Sequence, residues 1–149
     1  MKNLIVSLAA LFVTAMTPLL AHATDTDPRA EKIFAKQFAG AQNIKWTKLT
    51  DGYLSVTFVL NGIGAETFFN ADAELIGTVR NLFYNQMPLV VMQTVDNKFT
   101  GASVIEVKEI TNSDGTCYKV VLEQKNRKCF LRVNSLGQIT ELQKEKLKK

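Results

Sequence analysis

Histidine, cysteine, proline and tryptophan are all scarce in this chain of 149 residues: one, two, three and one, respectively. Each scarcity removes a class of chemistry. The single histidine, His22, falls in an N-terminal leader. Without that leader the chain has no imidazole to relay a proton, complete a Ser-His-Asp triad or bind zinc. Cys117 and Cys129 follow a C-x11-C spacing, which is neither the C-x-x-C of a redox or zinc motif nor a disulfide framework. No phosphate loop, dinucleotide fingerprint, nucleophile elbow or zinc-protease motif occurs. For an enzyme only scattered carboxylates such as Glu66 and Glu106 remain, with no orienting partner nearby in sequence. The chain reads as a non-enzyme with no catalytic residue, no metal and no cofactor. With 46% hydrophobic and 21% charged residues and few prolines and glycines, disorder, collagen and coiled coil are also excluded.

The leader has the form of a signal peptide. Lys2 gives a positive start, Leu4 to Leu20 is nearly continuous apolar sequence, and Ala21-His22-Ala23 offers the small-x-small pattern that signal peptidase cuts after. A retained membrane span would need about 20 apolar residues, whereas Ser7, Thr14, Thr17 and Pro18 interrupt this run. Residues 1–23 are therefore expected to be removed after Ala23, placing residues 24–149 in the periplasm or outside the cell, with no membrane span after cleavage. No cysteine stands near the cut, so a lipid anchor is not expected. Loss of Lys2 leaves 17 basic against 14 acidic side chains, a net charge of +3, and Lys144 to Lys149 carry +3 by themselves. The body is charge-balanced, which argues against a nucleic-acid groove.

What the chain does have is internal repetition. Phe38-Ala39-Gly40-Ala41 overlays Phe99-Thr100-Gly101-Ala102, and Ile44 and Trp46 then meet Ile105 and Val107. After a short insertion, Leu54, Val56 and Phe58 overlay Tyr118, Val120 and Leu122, and Ala65, Thr67 and Phe69 overlay Cys129, Leu131 and Val133. Each copy opens on a helix. Asp27 is an N-cap before Pro28, and Ala30, Ile33, Phe34 and Phe38 follow at helical spacing up to Gly40. Pro88 opens the second helix, with Val91, Met92, Val95 and Phe99 as its stripe.

Four short alternating runs follow each helix. Asn61-Gly62 is a two-residue hairpin signal; closing on it sets Leu54, Val56 and Phe58 opposite Phe69, Thr67 and Ala65. Lys125-Asn126 likewise pairs Tyr118, Val120 and Leu122 with Val133, Leu131 and Cys129. Both registers place apolar residues on one face, which a wrong register would scramble. The expected fold class is α+β: two tandem units of one helix plus a four-stranded antiparallel meander, about 28–86 and 87–143, forming one curved sheet with the helices on one face. Ile44 and Trp46 are expected on the inward face, with Trp46 buried near Phe34 and Phe38. Cys129 is expected inward and Cys117 outward, too far apart to bond to each other.

Ile44-Lys45-Trp46, Tyr53 to Phe58, Asn61-Gly62, Phe69-Asn70-Ala71-Asp72 and Met87-Pro88 together resemble the PepSY-like, β-lactamase-inhibitor-protein-like family of secreted bacterial domains. The resemblance runs from about Arg29 to Leu142. It implies two tandem helix-plus-sheet halves whose open face grips a partner protein, and a non-enzymatic binding role.

The face left open by the helices carries Lys45, Tyr53, Ser55, Thr57, Glu66 and Phe68 in the first half. In the second it carries Glu106, Lys108, Cys117, Lys119, Val121, Phe130 and Arg132. Such a face is ordinarily polar, whereas aromatics and arginine are enriched in interface hot spots. Tyr53, Phe68, Glu106, Lys119, Val121, Phe130 and Arg132 are accordingly the candidate partner-binding residues. Glu106, Lys119 and Arg132 are expected side by side across three strands. The expected partner is an envelope or secreted protein, met by a monomer. The alternative is a periplasmic carrier of a small ligand or lipid, which requires a deep apolar cavity of about 300 Å³ or more. Medium and large inward side chains are expected to fill that space.

Overall fold

The computed structural model describes residues 26–147; the expected signal segment and its cleavage point lie outside the described residues. In chain order the elements are α1 (Pro28–Gln37), β1 (Gln42–Lys48), β2 (Leu54–Leu60), β3 (Ile63–Phe69), β4 (Leu75–Asn81), α2 (Leu89–Lys98), β5 (Ser103–Asn112), β6 (Gly115–Gln124), β7 (Arg127–Asn134) and β8 (Ile139–Lys146). The eight strands form a single open antiparallel sheet, ordered β1 to β8 as in the chain.

Local chemistry sets the helix limits. Asp27 Oδ1 accepts a hydrogen bond from the Arg29 backbone N–H at 2.8 Å, and Pro28 takes the first helical position, where its missing N–H costs nothing. The Phe38 N–H closes α1 on the Phe34 carbonyl, and the Phe99 N–H closes α2 on that of Val95. Gly40 and Gly101 follow at φ +86° and +76°, a left-handed exit that favours glycine.

Both central hairpins adopt the expected registers. Leu60 faces Ile63 across Asn61-Gly62, and Phe58, Val56 and Leu54 face Ala65, Thr67 and Phe69. Across Lys125-Asn126, Leu122, Val120 and Tyr118 face Cys129, Leu131 and Val133. The β5–β6 register differs from expectation by two residues. The turn is Ser113-Asp114, so Lys108, not Glu106, stands opposite Lys119, and Glu106 stands opposite Val121. A displacement of two keeps every side chain on its expected face but replaces the neighbours in the charged row.

Ala65, Arg80, Glu109, Tyr118 and Val133 are successive cross-strand partners from β3 to β7, so they share one face. Both helices pack on that face, over separate cores. Under α1, Ala30 and Phe34 meet Leu54, Val56, Phe58 and Phe69; under α2, Val91 and Val95 meet Val107, Tyr118, Val120, Leu122 and Leu131. Trp46 faces inward, its ring 5.6 Å from Phe34 and 5.8 Å from Phe69 between centroids, yet it is half-buried because β1 is an edge strand. Ile44 departs from expectation. A bulge at Asn43, φ +53°, interrupts the register before Lys45 and leaves Ile44 47% exposed.

Candidate functional site

On the face away from the helices the registers build a charged row. Asn81, Lys108, Lys119, Arg132 and Glu141 are successive cross-strand partners from β4 to β8. Three cations thus stand side by side, a destabilising arrangement for directly opposed like charges. Glu106 Oε1 pairs with Lys108 Nζ at 2.9 Å along β5. It stands opposite Val121 rather than Lys119, and among the described residues neither Lys119 nor Arg132 forms an ion pair. The next row is Glu106, Val121, Phe130 and Gln143. Phe130 is half-buried, with Lys128 Nζ 5.6 Å from its ring centroid. Val121 is 8% exposed and offers a partner almost no surface.

Tyr53 and Phe68 belong to the other end of this face. Phe68 pairs with Ser55 and Gly77, and Tyr53 is exposed just before β2. Phe68 is three strands and about four residues from Lys119, roughly 20 Å at ordinary strand spacing. The candidate residues therefore form two groups: Lys119, Phe130 and Arg132 with Glu106 and Val121, and separately Tyr53 and Phe68.

The helix face has a feature that sequence reasoning missed. Each ten-residue helix covers strands of its own half, and the inner face of β4 and β5 lies between them. Thr67, Thr78, Thr111 and Thr116 form one row across this seam. The Thr67 and Thr78 hydroxyls lie 3.1 Å apart, and those of Thr111 and Thr116 3.2 Å apart. The row beside it holds Arg80 and Glu109. Arg80 Nε donates to Glu109 Oε1 at 2.6 Å and the Tyr118 hydroxyl donates to Glu109 Oε2 at 3.3 Å. Burial first, then the Glu109 carboxylate, pushes the Tyr118 phenol up from its ordinary value, and Glu109 holds the Arg80 guanidinium more firmly protonated.

Between the C-terminal end of α1 and this seam lies a cleft of about 820 Å³, with Phe38, Phe58, Leu60, Ile63 and Ala65 on one side and Arg80, Glu109 and Thr111 on the other. The inward side chains fill the space beneath each helix, and the cleft opens beside them because the middle of the sheet has no helix above it. The legible signal was polar residues, Thr78, Arg80, Glu109 and Thr111, at inward positions that a filled core would make apolar.

No family model and no curated protein matches the sequence. Solved structures match its fold. A BLIP-like protein from Bacteroides fragilis is 21% identical with a TM-score of 0.70, over 80% of this chain and 86% of that one. A DUF2874 family protein from Bacteroides ovatus is 20% identical with a TM-score of 0.71, over 81% and 89%. A candidate periplasmic protein from Bacteroides eggerthii is 17% identical with a TM-score of 0.70, over 79% and 88%. The chain thus has a BLIP-like α+β fold of two helices on an open eight-stranded antiparallel sheet. Among the described residues no helix is long and apolar enough to cross a membrane.

Proposed function

We propose that the chain is a non-enzymatic binding protein of the periplasm or the secreted fraction, which as a monomer engages an envelope or secreted protein, as inhibitor or regulator of an enzyme, through the open sheet face. The observation that carries this reading is the row of Lys108, Lys119 and Arg132 beside Phe130. Three opposed cations lower the stability of the free sheet and become favourable once an acidic surface lies over them. Phe130 is the apolar anchor, Val121 stands beside it on the neighbouring strand, and Glu106 holds Lys108 in place. Tyr53 and Phe68 form a second contact. A standard interface of about 800 Å² per partner is roughly 28 Å across and spans both.

Export by cleavage after Ala23 belongs to this reading, supported by the leader sequence and by the candidate periplasmic fold neighbour. So does a PepSY-like origin in two tandem copies, supported by the recurring order of one helix and four strands and by the matching helix exits at Phe38-Ala39-Gly40 and Phe99-Thr100-Gly101. The test is the double change Phe130→Ser, Arg132→Glu in the secreted chain. Neither side chain supports a core, so the variant folds. A partner identified by pull-down from envelope extract, then titrated calorimetrically, should lose at least about tenfold in affinity, or about 1.4 kcal/mol. Undiminished affinity of the folded variant overturns the open-face site.

A further inference from the structure

We infer that the cleft on the helix face is a binding site for a small uncharged amphiphile, an acyl chain ending in an ester- or amide-type head that accepts hydrogen bonds. It lies on the opposite side of the sheet from the cation row and does not depend on that reading.

The cleft's volume of about 820 Å³ falls within the roughly 300–1,000 Å³ of small-molecule sites. Its apolar side is incompletely shielded: Phe38, Leu60, Ile63 and Ala65 are all half-buried. An acyl chain laid over them would remove that apolar surface from water, which is favourable. This wall selects an apolar body without specifying its length.

The polar side specifies the head. The hydroxyls of Thr78 and Thr111 are already paired with those of Thr67 and Thr116. Both Glu109 oxygens are engaged, one by Arg80 and one by Tyr118. Arg80 is held through Nε alone, so among the described residues its two Nη groups have no acceptor, and its side chain is 47% exposed. The unspent capacity is donor capacity on a guanidinium fixed by a carboxylate that is only 15% exposed. Such fixation is what a preorganised binding group requires.

Charge then separates the candidate heads. Glu109 neutralises Arg80 at 2.6 Å, and Glu74 adds a second carboxylate to the lining. An anionic head therefore gains little net attraction, and a cationic head meets the guanidinium. An uncharged carbonyl accepts from the Nη groups without either cost.

The test uses the secreted chain with N-phenyl-1-naphthylamine, an uncharged apolar fluorophore, as probe. Monolaurin, laurate and dodecyltrimethylammonium compete for it, each below its micelle concentration. Saturation at one probe per chain is expected, with monolaurin displacing it about tenfold more tightly than either charged amphiphile. Arg80→Met should weaken monolaurin about tenfold and leave the probe within about twofold, these being the shifts expected from losing a hydrogen bond to a charged donor. Thr111→Trp fills the cleft from an exposed position and should weaken probe and monolaurin more than about tenfold, a loss expected when a pocket is blocked. Ala65→Trp does the same from the floor, and circular dichroism verifies that both fold. Phe130→Ser, on the other face, should change neither affinity. Absence of probe binding, several probes per chain, or binding unaffected by both tryptophans in folded protein overturns the site. A charged amphiphile binding as well as monolaurin overturns the head assignment.

Discussion

Lys119→Glu should stabilise the protein while abolishing the contact proposed for its open face. Lys119 stands between Lys108 on β5 and Arg132 on β7, and Glu106 is committed to Lys108 at 2.9 Å. The substitution turns two opposed like-charge pairs into two opposite-charge pairs. Each cross-strand pair contributes about 0.2–1 kcal/mol, and exposure keeps these near the lower end, so the gain is about 1 kcal/mol. For a chain of this size that raises the melting temperature by about 3 to 5 °C. Urea unfolding at about 0.01 M and about 1 M salt separates charge from packing, since the Debye length contracts between them from about 30 Å to about 3 Å. The gain should be present at low salt and nearly gone at high salt, while partner affinity falls at least about tenfold, as for a truncated interface charge. No gain at low salt, or a gain indifferent to salt, refutes the reasoning. A substitution that helps the fold and harms the contact shows the row serving something other than stability.

The cysteines lie on opposite faces, Cys129 buried and Cys117 half-buried, and both are free. Alkylation without reductant should label Cys117 in the native protein and Cys129 only after unfolding; an intact bridge between them, which needs Cβ atoms about 3.5–4.5 Å apart, would refute the register. Trp46→Ala should cost about 2 to 3 kcal/mol in urea unfolding, below the range of about 3–5 for a fully buried ring, because the residue is only half-buried. Native emission should lie between buried and free tryptophan, and a solvent-like maximum would contradict its packing on Phe34 and Phe69. Burial and Asp96, whose Oδ1 is 2.6 Å from the Tyr84 hydroxyl, push the Tyr84 phenol well above its ordinary value, and Tyr118 is also raised. Native protein therefore keeps protons that unfolded chain releases near pH 10, and stability should fall as pH climbs above about 10. Tyr84→Phe should flatten that fall; an unchanged slope would refute the assignment.

The parts of the fold legible in the sequence are those set by local turns. Asn61-Gly62 and Lys125-Asn126 fix their hairpins because two residues leave one way to close and the polarity of the flanking strands tolerates no slip. Glu106 opposite Lys119 requires β5 and β6 to close on Asn112-Ser113, whereas the chain closes on Ser113-Asp114. Closing one residue further along moved Lys108 opposite Lys119, and Glu106 lost its expected place. Phe130, Arg132 and Lys119 were correctly placed on the open face because face depends only on parity. The β4–β5 pairing spans a helix, and no neighbouring-residue signal shows how far that helix reaches. Which residues line the cleft, and that Arg80 meets Glu109 in it, was beyond local reading for that reason, although the inward polar residues marked the place; the bulge at Asn43 that turned out Ile44 interrupts a local hairpin and has no turn signal of its own.

The two cores have no side chain in common, and what separates them is a strip of threonines and one ion pair laid over a ladder of main-chain hydrogen bonds. Each core is therefore private. A methylene gained under α1 exerts no pressure under α2, and packing changes in the two should add rather than compensate. The chain can reshape the surface beside Phe130 without renegotiating the packing around Phe34, and it can reshape the mouth of the cleft without disturbing Leu122. A protein built this way can change what one end touches while the other end stays as it was.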